Sequence, residues 1–189
     1  VSEVGENNNV SLLGLPEEND WALYAPWSDK SLIRNVLTYQ LSNEMGRYAS
    51  RTRYCELYLN GEYQGIYVLM EKIKRDNNRV NISTLNPDEI SGDDVTGGYI
   101  LKFDWSYTGD NIGWFDSEEG SRYNYHYPKP DEIVEEQENY IQQYINNFEG
   151  TMNSESYNDP EFGYHSLMDV DSFIDLIILQ ELSKNVDAY

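Results

Sequence analysis

Basic residues are scarce: 13 Lys and Arg stand against 34 Asp and Glu across 189 residues, a formal net charge of −21. No basic tract of useful length exists. Nucleic-acid binding is therefore excluded as a leading reading, because neutralising phosphates dominates such affinity. An anionic membrane surface would repel the chain as well. Cysteine is nearly absent. Cys55 stands alone, so an intrachain disulfide is impossible and a structural zinc site lacks ligands. Its alternation with Leu57 and Leu59 predicts a small buried apolar residue. Only His126 and His165 are present, without metal spacing and without a Ser-His-Asp arrangement. No apolar run reaches membrane-spanning length and no signal peptide is visible, so membrane insertion is not expected. The acidic residues are spread throughout, which suits a solvated surface. Asp93-Asp94 and Asp104 to Asp110 lack the ligand spacing of an EF-hand, and no metal ligand set is assigned.

What is abundant is local pattern. Arg53 to Arg75 reads as two alternating strands joined at Asn60-Gly61, a pair that favours a type I′ turn because both central residues accept positive φ. Leu57 is central on the apolar face of the first arm. The second arm turns charged at Glu71-Lys72. Before the hairpin, Ile33, Leu37, Leu41 and Met45 recur every fourth residue, with Ser28 or Asp29 as cap and Gly46 as stop. This predicts one helix over 29–46, packed on the hairpin through Ile33, Leu37 and Leu41. Trp21 to Trp27 reads as a buried strand or extended segment, and Leu12 to Pro16 as a short turn.

After the hairpin, Val80 to Leu85 is expected as a short strand, and Tyr99 to Phe103 as another. Residues 105–130 read as a long ordered loop or a small hairpin insert. A helix follows from about Pro130 to Phe148, with Ile133, Gln137, Tyr140-Ile141, Tyr144-Ile145 and Phe148 on one stripe. Asp169 can cap a last helix whose core face is Phe173-Ile174, Ile177-Ile178 and Leu182, ending at Ser183-Lys184-Asn185-Val186-Asp187. The ends read as cut, as in an internal fragment.

The order of parts matters for function. Helix, hairpin, polar exit strand, further helices and a loop bearing an Asp is the order of protein-kinase-like folds. Phosphoryl transfer asks mainly for positioning and charge neutralisation. An Asp at the end of a rigid helix can orient an acceptor hydroxyl and take its proton. Backbone after the second strand can bond an adenine edge.

Specific residues then carry a resemblance. They are Leu12-Leu13-Gly14 with Asp20-Trp21; Asp29 through Arg34-Asn35 to Met45-Gly46; Glu56 to Gly61 with Tyr63, Gly65 and Tyr67; Leu69 with Glu71; Gly97-Gly98-Tyr99; and Glu181 with Asn185 and Asp187. In these the chain resembles the spore-coat protein H (CotH) kinase family from Leu12 to Tyr189. The resemblance implies an α+β, atypical protein-kinase-like fold in partial form, with residues 1–74 as small-lobe part and 75–189 as the start of a large lobe with long loops. It implies ATP with Mg or Mn in the intact parent, and phosphoryl transfer to Ser or Thr of a spore-coat or secreted surface protein as partner. The implied location is the spore surface or extracellular space.

By the same resemblance Asp187 takes the catalytic-loop position. Met70, Glu71, Lys72 and Ile73 would border the adenine, and Arg34 would help set the geometry around the phosphates. The family's nucleotide-anchoring lysine and its metal-binding Trp-Asp-Phe-Asp segment are not found in these residues, so the fragment itself is expected to be inactive. Plainer roles stay open: Glu71 as a partner of Lys74, Arg34 as a helix surface charge, Asp187 as a loop residue. Two rival functions also stay open. One is a catalytically silent secreted structural or adhesive module. The other is a carbohydrate-associated module built on Trp105, Trp114 and neighbouring Tyr.

Overall fold

The computed structural model describes residues 2–3, 6–103 and 113–186. It is a mixed α+β structure of antiparallel sheets and three α-helices, and it divides into two compact units: 1–73 with 171–189, and 74–170.

The first unit opens with a two-stranded ribbon, β1 (Ser2–Glu3) and β2 (Glu6–Asn7). Its main sheet has the order β3-β5-β4, from β3 (Trp21–Tyr24), β4 (Thr52–Leu59) and β5 (Glu62–Glu71). Asn60 at φ 53° and Gly61 at φ 84° close the β4–β5 hairpin, the left-handed pair a two-residue type I′ turn needs. A bulge between Leu57 and Tyr58, opposite Gly65 at φ 109°, breaks the alternation near the tip. As the central strand, β5 is covered best: Val68, Leu69 and Glu71 are buried. Cys55 and Leu57, on the edge strand β4, are only half-buried, so neither is the core residue their alternation suggests. Trp27, at the end of the segment read as a buried strand or an extended stretch, is 93% exposed.

Helix α1 spans Arg34–Glu44, five residues later than expected. The delay is local. Leu32 sits in the left-handed region at φ 62° and ends any helical path from Asp29. The stop is as expected: Gly46 at φ 83° follows Met45, and Arg47 N donates to Ser42 O at 2.9 Å. The packing differs from expectation. Ile33 and Leu37 are about half exposed. Leu37 and Leu41 line a cavity with Leu179 and Leu182 of α3 (Val170–Ser183), while Val36, Gln40, Asn43 and Glu44 are the α1 residues that line a second hollow with Ser50 to Arg53 at the start of β4. Periodicity marked an apolar row without saying what would cover it.

The same correction applies to α3. Phe173, Ile174, Ile177, Ile178 and Leu182, expected as its core face, are all exposed, and Leu179 alone on this helix is buried. Arg47 Nε bonds Asp175 Oδ2 at 2.8 Å and ties this helix to the segment after α1.

The second unit holds a sheet of order β6-β8-β7, from β6 (Ile100–Lys102), β7 (Trp114–Asp116) and β8 (Arg122–Tyr127). The hairpin insert is thus real. The strand expected over Val80 to Leu85 is reduced to a single bridge between Arg75 and Val80. Helix α2 (Glu135–Met152) lays Ile141 against Phe115, Tyr123 and Tyr125, with Ile133, Tyr140 and Ile145 around them. That is most of the predicted stripe, on a helix that starts five residues later than expected. Gln137 belongs to it for a polar reason. It is fully buried, and its Nε2 donates to Asn86 O at 2.7 Å and Glu89 O at 3.1 Å. The loop's carbonyls are thereby satisfied away from water.

Candidate functional site

A cleft of about 510 Å³ opens in the first unit, lined by residues of the segment before α1, by α1 itself and by the end of α3. Its size is in the range of small-molecule sites. Two cations, Arg34 and Lys184, reach it, with Asn35, Asn185 and Gln180 as amides and Ser28, Thr38, Tyr24 and Tyr39 as hydroxyls. In a chain this acidic, that lining is conspicuous. Burial pushes the Tyr39 phenol up, and the neighbouring Tyr24 adds to the effect, so Tyr39 keeps its proton and can donate it in a hydrogen bond.

Arg34 is the first residue of α1, and its position follows from a knot of backbone around Asp29. The Asp29 carboxylate is buried. Oδ1 accepts from Ser31 Oγ at 2.6 Å and Ser31 N at 3.0 Å, and Oδ2 from Arg34 N at 2.9 Å. Leu32 N donates back to Asp29 O at 2.9 Å. Arg34 Nε lies 3.5 Å from Asp29 Oδ1 in an ion pair, while the Arg34 side chain stays 80% exposed. The Ser31 hydroxyl, then the Arg34 and Ser31 amides, hold the Asp29 carboxyl below its usual range, and the Arg34 charge adds to this.

Lys184 arrives by a different device. It sits just past α3 at φ 51°, the left-handed position where helices prefer glycine. Asn185 N donates to Gln180 O at 3.2 Å, and Asn185 Nδ2 to Gln180 Oε1 at 2.8 Å. The end of α3 is thus closed by backbone and side chain together.

Of the predicted site residues, the cleft contains Arg34. It also contains Asn185 and Val186, which lead directly to Asp187; Asp187 itself lies outside the described residues. Met70, Glu71, Lys72 and Ile73 do not line this cleft. Glu71 is engaged elsewhere. Its carboxylate is buried and takes a fork from Arg51, Nε to Oε2 at 2.9 Å and Nη2 to Oε1 at 2.7 Å, plus Arg51 N at 3.0 Å. Arg51, across the sheet, is thus a partner of this carboxylate. Met70 is half-buried in the sheet, and Lys72 and Ile73 are exposed beyond it. Sequence reasoning did not single out Lys184 or Tyr39. Lys184 had a signal, as a cation directly after an apolar helix. Tyr39 had none, since its place depends on packing.

Fit to a ligand can be judged from these donors. Guanidinium, ammonium, hydroxyl and amide groups suit phosphate oxygens. They do not suit a metal: Asp29 is spent on its own segment, and among the described residues no group of three or more His, Cys, Asp or Glu could hold an ion. Trp114 offers a poor sugar platform on one face, because the Arg122 guanidinium covers it at 3.8 Å while pairing with Asp116. Trp105 lies outside the described residues. Among the described residues no helix is long and apolar enough to cross a membrane. Neither a curated protein nor a solved structure matches the chain. The family model described as CotH kinase protein matches residues 3–189, essentially the whole length, and the chain belongs to that family.

Proposed function

We propose that this chain is the phosphate-handling part of an atypical, protein-kinase-like enzyme that transfers the γ-phosphoryl of ATP to Ser or Thr hydroxyls of a spore-coat or other secreted surface protein. The observation that carries this reading is the cleft that joins Arg34 to Lys184 and Asn185, next in sequence to Asp187, in a chain of the CotH kinase family. ATP, when bound, supplies the phosphoryl group, with Mg or Mn offsetting its charge.

The chain's own residues divide the remaining work. Arg34 and Lys184 neutralise phosphate charge from two elements, and Asn35 and Asn185 donate neutral hydrogen bonds that fix orientation. Asp187 takes the proton of the acceptor hydroxyl as it attacks. In this reading the adenine is met by the backbone at Met70 to Ile73, since the Glu71 side chain is committed to Arg51.

The test is made in a full-length protein that contains this chain. Asp187→Ala should abolish most transfer while ATP-analogue binding and the thermal midpoint stay close to wild type, because the loss falls on the transition state rather than on ground-state binding. Full turnover with a lowered midpoint would make Asp187 a plain structural residue and leave the kinase reading without its centre. The silent adhesive reading is favoured instead if calorimetry detects no ATP-analogue binding.

A further inference from the structure

We propose that Asp29 is a positioning residue for Arg34: its carboxylate holds the guanidinium from the Nε side, so that the Nη edge is presented to an anion in the cleft. This rests on the phosphate-handling reading of that cleft. The geometry is specific. Asp29 accepts the Arg34 amide at 2.9 Å and stands 3.5 Å from Arg34 Nε. One carboxylate thus meets both the backbone amide of Arg34 and the Nε side of its guanidinium. Among the described residues, no bond to Nη1 or Nη2 competes with a ligand there. Arginine recognises phosphate through its planar fork, and its five donors are useful only if the fork is aimed.

An acidic residue beside an anion site would ordinarily weaken it. That sign makes the proposal testable. If Asp29 were only a nearby charge, removing it would tighten anion binding. If it were only a helix cap, removing it would lower stability and leave binding per folded molecule unchanged. If it aims Arg34, removing it should weaken binding despite the gain in positive charge, because an unrestrained arginine must be ordered by the ligand itself.

The experiment is titration calorimetry of the 189-residue chain with inorganic tripolyphosphate at constant ionic strength, with the thermal midpoint read on each sample. Asp29→Asn and Asp29→Ser are compared, the asparagine retaining an oxygen that can accept from the Arg34 amide. Each is made with Arg34 present and in an Arg34→Gln background, which forms a double-mutant cycle. With Arg34 present, both substitutions should weaken tripolyphosphate about three- to tenfold, the loss expected for one long side chain that is no longer preorganised. In the Arg34→Gln background neither should weaken it. Equal or tighter binding with Arg34 present overturns the proposal, and so does the same weakening in both backgrounds. If Arg34→Gln itself leaves binding unchanged, or the parent chain does not bind tripolyphosphate, the cleft reading fails and takes this inference with it. Normal Arg34 dependence with no effect of Asp29 defeats the positioning role alone.

Discussion

Two residues show how single side chains divide between function and stability. Lys184 holds a left-handed backbone at φ 51° that glycine would hold more easily. Lys184→Gly should stabilise the chain by up to about 1 kcal/mol, relief of a left-handed non-glycine residue less the extra freedom of glycine when unfolded. It should also weaken tripolyphosphate binding. Denaturation and calorimetry on one sample would show both, and a stabilised variant with unchanged binding would remove Lys184 from the site. Arg51 is the opposite case. It serves Glu71, whose carboxylate is 1% exposed. Arg51→Ala withdraws the guanidinium from a buried charge and should cost about 3 kcal/mol or more by chemical denaturation. Glu71→Gln should cost less, because Arg51 is partly solvated and can hydrate. The reverse ranking would show that burial of Glu71 is not what makes the pair necessary. Leu57, read from its alternation as core, is half-buried. Its truncation belongs near about 1 kcal/mol rather than in the range of a full core deletion.

At the scale of elements, α3 is the informative one. The apolar residues Phe173, Ile174, Ile177, Ile178 and Leu182 form a face interrupted by Glu181, and the structure leaves that face in solvent. Exposed apolar surface of this extent binds hydrophobic dyes and promotes self-association. The chain should therefore enhance the fluorescence of an anilinonaphthalene dye in its native state. The double substitution Ile177→Gln, Leu182→Gln should remove much of that signal at little cost in thermal midpoint, since neither side chain is buried. A large fall in midpoint would show that the face is covered in solution. α2 is the counter-example. Its stripe was legible in sequence and is covered as expected, because the β7–β8 hairpin supplies Phe115, Tyr123 and Tyr125 to pack on it.

For the whole molecule, charge sets the response to salt and pH. At −21 the chain repels itself, so at pH 7 its thermal midpoint should rise as salt is increased from about 10 to 150 mM, where the Debye length shortens from about 30 to 8 Å. Acid acts in two stages. Moderate acidification protonates ordinary carboxylates and relieves repulsion. Asp29, Asp116 and Asp159 are held below the usual range by hydrogen bonds from Ser31, Arg122 and the Phe162 amide respectively. Glu149 is held low despite opposing burial by the nearby Ser117, Tyr123 and Ser121 hydroxyls, of which Tyr123 donates to its Oε1 at 2.7 Å. Groups depressed in the folded state contribute stability that is present above the ordinary carboxylate range and lost as pH falls through their lowered values. The midpoint should therefore rise or hold from pH 7 to about 5, then fall steeply below about 4. A midpoint falling steadily from pH 7 would mean that repulsion is not a significant cost.

What the sequence determined by itself was local: the Asn60-Gly61 turn, the stop at Gly46, the strands on either side, and the α2 stripe. These depend on backbone preference and on periods of two or 3.6 residues, which neighbours in the chain already carry. The family was legible for the same reason, since its motifs are spaced along one chain. The start of α1 was not legible, because Leu32 takes a left-handed turn that no propensity favours. Nor was the fate of the apolar rows on α1 and α3, because periodicity shows that a face is apolar but not what lies against it. The cleft was the decision of tertiary structure alone. Arg34 and Lys184 are far apart in sequence. They line one cleft, where Asp29 accepts the amide at the start of α1 and the Arg47–Asp175 pair ties α3 to the segment that follows α1.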